Sequence, residues 1–137
     1  MGPQASGLLE SDAPLPAGIL ALAGIYEFRD FANRNGAPYV TMIEGALGPN
    51  QDRWDDAAPL CFCGNYASAW SGRHILLSYS GGDTLVDGAV ETVNMAARLL
   101  RDGCVVSTTP IHGEHDFVWQ DGKQIAELIK NIFQRVQ

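Results

Sequence analysis

A chain of 137 residues, 46% of them hydrophobic, has enough apolar content for one modest domain with a buried core, and no second domain need be sought. Nine basic and sixteen acidic residues leave a net charge of -7 and a pI near 4.7 without any Lys/Arg cluster, which excludes the basic face that nucleic-acid binding requires. The acidity reads as a solubility feature.

The longest apolar stretch, residues 17–25, contains two glycines and falls far short of the roughly 20 residues that span a bilayer. No basic segment precedes it, so neither a signal peptide nor a membrane helix is expected. Three cysteines are an odd number for a disulfide framework, and the reading expects a reduced, cytoplasmic protein. Cys61 and Cys63 lack further Cys or His at metal-site spacings and read as plain thiols.

Residues 1–13 are small and polar, broken by Gly2, Pro3 and Gly7, and read as a loose tail ahead of a domain spanning 14–137. Pro14 and Pro16 introduce residues 18–25, apolar on both faces as a covered parallel strand would be. No strand signal follows until residue 72. Pro38 starts a helix in which Tyr39, Ile43, Ala46 and Leu47 share a face, and Gly48-Pro49 stops it. Trp54, Pro59, Phe62, Tyr66 and Trp70 follow among Gly, Asn and Ser, either walling a pocket or anchoring a long connection.

The region that organises the chain is 73–119. A strand at 75–80 breaks into Gly81-Gly82-Asp83, and a helix from Asp87 follows, with Val90, Val93, Ala97 and Leu100 as the face expected to pack on the sheet. A second strand at 104–109 then leads to Gly113-Glu114-His115-Asp116. The last helix opens with a capping-box pattern, Asp121 and Gln124, and carries the stripe Ile125, Leu128, Ile129, Ile132, Phe133 and Val136, expected to cover the strand at 104–109. The inventory is an α/β chain of three parallel strands and about four helices. The strand at 18–25 is left with an unpaired edge, as in a piece of a larger sheet.

A right-handed crossover lays the strands at 75–80 and 104–109 side by side, so both open on one rim. Asp83 and His115 can therefore meet, as an acid that holds a histidine in one tautomer while the histidine takes a proton from a nucleophile. His112 and His74 read as structural, and Asp87 as a helix cap. A phosphate-loop reading of Gly81-Gly82 fails, because no Gly-Lys-Ser/Thr follows and Asp83 would repel the anion. The nucleophile is missing: no serine sits in G-x-S-x-G, Ser6 and Ser71 follow no strand, and Ser80 shares its turn with Asp83.

Four segments, Gly24-Ile25-Tyr26, Trp54 with Ala58-Pro59, residues 80–87 and residues 113–119, together resemble the C-terminal half of the kynurenine formamidase group of α/β-hydrolases, over residues from about 17 to 136. The resemblance implies Asp83 as triad acid and His115 as triad base. It further implies hydrolysis of N-formylkynurenine to kynurenine and formate in tryptophan breakdown, with no cofactor and with residues 54–70 bordering a small aromatic formamide or ester. The family's serine elbow and oxyanion glycines are absent, and Ala58 stands where related sequences often place Ser before Pro. The expectation is a partial α/β-hydrolase fold without the N-terminal half of its sheet, inactive by itself. The alternatives are a carboxylesterase-like hydrolase, a non-catalytic α/β module that self-associates through the strand at 18–25, and a flavodoxin-like ligand binder.

Overall fold

The computed structural model describes residues 15–136, so the tail expected over 1–13 lies outside it. The elements are β1 (Gly18–Leu22), α1 (Phe28–Asn35), α2 (Ala37–Leu47), α3 (Gln51–Ala57), a 3-10 turn (Pro59–Cys61), α4 (Ala67–Trp70), β2 (His74–Ser80), α5 (Gly88–Arg101), β3 (Val105–Ile111), α6 (His115–Asp121) and α7 (Lys123–Arg135). The three strands form a parallel sheet in the order β1-β2-β3, with His74 level with Gly18 and Val105. The fold is therefore an α/β sheet flanked by helices, compatible with part of an α/β-hydrolase. No described helix is long and apolar enough to cross a membrane.

β2 is central and almost wholly buried, as its Ile75-Leu76-Leu77 run requires. Both outer strands have a free edge among the described residues, and Pro110 is tolerated within β3 because an edge strand can spare one N–H. Alternation along β2 divides the sheet into two faces. Ile75 and Leu77 meet Met95, Ala96 and Leu99 of α5, while Leu76 lies on the face served by α7.

Two expectations about helices are corrected. The face of α5 that packs on the sheet is Gly88, Glu91, Thr92, Met95, Ala96 and Leu99, whereas Val93 and Leu100 are 62% and 58% exposed. The visible stripe is on the outer side. α7 packs chiefly on β1 and β2 and only marginally reaches β3, because Gly18 has no side chain and leaves room for Ile132 and Val136 against β1. Leu128 is the buried member of its stripe, and Ile129 and Phe133 face outward.

The long segment before β2 contains no strand, as expected, but holds more helix than the one anticipated at residue 38. Glu27 caps α1 by accepting from the amides of Arg29 and Asp30. α1 to α3 build a second core, in which Phe31, Ala32, Ile43 and Trp54 gather with Val86 from the loop after β2. A cap of helices thus sits over the C-terminal ends of the strands.

Candidate active site

The rim of the sheet is shaped by two loops, 81–87 after β2 and 112–114 after β3. Ser80 is buried, and its hydroxyl donates to the carbonyl of Gly113 at 2.6 Å while accepting from the amide of Gly82. Gly113 has a φ of 109°, open to glycine, and a Cβ there would stand 2.3 Å from the Phe117 ring. These contacts lock the loops together. Gln124 adds a clamp, since its side chain both accepts from the amide of His112 and donates to the carbonyl of His112 at 2.9 Å, in place of the capping box expected with Asp121.

Asp83 and His115 are brought together. Asp83 Oδ2 accepts from His115 Nδ1 at 2.7 Å, and Asp83 Oδ1 accepts from the amides of Leu85 and Val86 at 2.9 and 3.0 Å. The Asp83 side chain is 2% exposed and that of His115 26%. Burial pushes the carboxyl up, but bonds from the Val86 amide, His115 and the Leu85 amide outweigh it and hold the group below its ordinary range. An ionised Asp83 requires a proton on Nδ1, which leaves Nε2 as an acceptor without a partner among the described residues. His115 is the first residue of α6 and not a loop residue, with Glu114 as its N-cap and Thr84 donating to the Glu114 carboxylate.

Beside His115 opens an apolar hollow of about 720 Å³, walled by Ala23, Ile25, Pro38, Tyr39, Met42, Leu85 and Val86. Sequence reasoning missed these residues, because the wall is assembled from β1's exit, α2 and the loop after β2. Ala23, with φ of 48°, is held in the left-handed region by its amide bond to the carbonyl of Ser78. The Trp54 to Trp70 aromatics do not line this hollow. Trp54 is fully buried and donates to the carbonyl of Gly48, while Phe62, Tyr66 and Trp70 line a separate hollow of about 420 Å³.

The remaining candidates fall elsewhere. Asp87 occupies the N-cap position of α5 but makes no cap bond, its carboxylate being held by Arg34 at 2.9 Å. His74 is buried with Nε2 2.8 Å from the Ser107 hydroxyl, and burial, followed by Arg135, lowers its pKa. Ser71 precedes β2 and so lies at the end of the sheet opposite His115, about 20 Å away along seven residues of strand. Ser6 is outside the described residues. One trio, Glu27, Asp55 and Cys61, brings ligand-type atoms within 4.8 Å of one another. Glu27 is engaged in capping α1, Asp55 pairs with Arg29, and burial followed by both acids raises the Cys61 thiol away from the thiolate a metal needs.

No known protein-family model matches the chain. It is similar to a kynurenine formamidase-like hydrolase of Fusarium equiseti, with 25% identity over 128 residues, 89% of this chain and 42% of the relative. The chain therefore spans less than half the length of that protein. A likeness of this extent, joined to a parallel α/β sheet with a carboxylate and an imidazole paired on its rim, supports a relationship to hydrolases.

Proposed function

We propose that the chain carries the acid–base half of a serine-hydrolase-type site for a small aromatic formamide, with N-formylkynurenine as the substrate and a related carboxylic ester as the nearest alternative. The observation that carries this reading is the 2.7 Å bond from His115 Nδ1 to the buried Asp83 beside an apolar hollow. His115 Nε2 takes the proton of an attacking hydroxyl as its oxygen bonds to the formyl carbon. Asp83 stabilises the resulting imidazolium, which returns the proton to the departing arylamine nitrogen. Water then attacks the formyl ester by the same route and releases formate.

The hydroxyl comes from outside this chain, because Ser80 is buried and bonded, Ser71 is remote and Ser6 sits in no serine-elbow pattern. The free edge of β1 is the natural place for it: a strand added there in parallel ends on the same rim as Asp83 and His115. The chain alone is then inactive. The protein works in the cytosol, in keeping with its three free thiols. Nuclear magnetic resonance with N-formylkynurenine tests the proposal: shifts at His115, Leu85 and Tyr39 support it, and no shift at those residues at millimolar ligand overturns it. A fluorophosphonate probe should label no serine of this chain, and stoichiometric labelling of Ser6, Ser71 or Ser80 would contradict the assignment of the nucleophile.

A further inference from the structure

α5 has a second apolar face that the sheet does not use. Val90, Val93, Ala97 and Leu100 recur at intervals of three, four and three, the spacing of a coiled-coil seam. Three of the four are large and exposed, at 37%, 62% and 58% for Val90, Val93 and Leu100. No described element covers them.

We propose that this face pairs with the same face of a second copy, the two α5 helices running antiparallel about a two-fold axis. Reversal sets Val90 opposite Leu100 and Val93 opposite Ala97, so a large side chain meets a small one at the centre and the helices approach closely. Charge selects a second copy as the occupant. At the N-terminal end Asp87 is half-exposed and shares the single Arg34 guanidinium with Asp30 and Glu91, which leaves that end acidic, while Arg101 in the last turn has no ion-pair partner among the described residues. Antiparallel copies bring each Arg101 to the acidic end of the other and oppose the two helix dipoles, whereas a parallel pair would stack like charges. A helix of 14 residues covers less than the roughly 1,200 Å² of a stable interface, so the dimer is weak and concentration-dependent.

Sedimentation equilibrium of the full chain from about 10 µM to about 1 mM tests this. The wild type should pass from monomer to dimer, and Val93→Glu should weaken the dimer at least tenfold with the circular dichroism and thermal midpoint unchanged. In a Cys61→Ser, Cys63→Ser background, Val93→Cys with Ala97→Cys should crosslink two chains on oxidation. Val90→Cys should not, because antiparallel copies hold those positions roughly 15 Å apart along the axis. A chain that stays monomeric throughout, or a dimer indifferent to Val93→Glu as pairing through the β1 edge would be, overturns the proposal.

Discussion

Replacing Asp83 by Asn keeps the size of the side chain and removes its charge, which isolates what the carboxylate does. Three donors, the amides of Leu85 and Val86 and the His115 Nδ1–H, converge on it in a side chain only 2% exposed. A hydrogen bond to a charged acceptor contributes about 2 kcal/mol and a neutral one about 1 kcal/mol; the Asn oxygen still accepts from the two amides, while its Nδ2 can only donate to a His115 Nδ1 that has given up its proton, so two weakened bonds and one reversed neutral bond cost about 3 kcal/mol. Relief from burying a charge offsets about 1 kcal/mol, leaving a destabilisation of about 2 kcal/mol at neutral pH. Urea denaturation of both proteins across pH measures it. Because the folded-state pKa of Asp83 is depressed, its contribution is present above the ordinary aspartate pKa and disappears as pH falls through the folded value. The difference between wild type and Asp83→Asn should therefore shrink in acid. Equal stability at pH 7, or a difference unchanged in acid, would refute the reasoning.

Other consequences follow from named contacts. Glu91 is buried at 2% exposure, accepts from the amides of Tyr26 and Glu27 and pairs with Arg34; Glu91→Ala should cost about 3 kcal/mol in denaturant unfolding by leaving these groups unpaired. Burial, with Glu91 second, pushes the Tyr26 phenol up to about 12, so its stabilising share is complete below the ordinary tyrosine pKa near 10 and is lost as pH rises towards about 12. Absorbance titration at alkaline pH should show this tyrosine ionising last or with unfolding. Trp54→Ala should cost about 4 kcal/mol by emptying the centre of the helical cap, with a lowered thermal midpoint as the readout.

The three strands and the meeting of Asp83 with His115 were legible because both follow from local pattern and one topological rule. Apolar runs bounded by glycine marked β2 and β3, and a right-handed crossover did the rest. The inward face of α5 was not legible. Its Val90, Val93, Leu100 side outweighs in hydropathy a buried side that includes Glu91 and Thr92, and the groups that satisfy Glu91 lie 57 to 65 residues away in the chain. The wall of the hollow beside His115 was hidden for the same reason. Pro38, Tyr39 and Met42 carry no chemical signature, and only the packing of α2 over the rim gives them a role. Gln124 looked like a capping residue because its spacing from Asp121 fits one, yet the backbone of His112 offers it a donor and an acceptor at once.

The most direct test is the protonation of the His115 ring in the folded wild-type chain, read from nitrogen–proton correlation spectra at pH above 8. A proton on Nδ1, shifted far downfield by the bond to Asp83 and lost in Asp83→Asn, with Nε2 bare, is the result this account requires. A His115 ring protonated on Nε2, or an Nδ1 signal that is the same with and without the carboxylate, would contradict it.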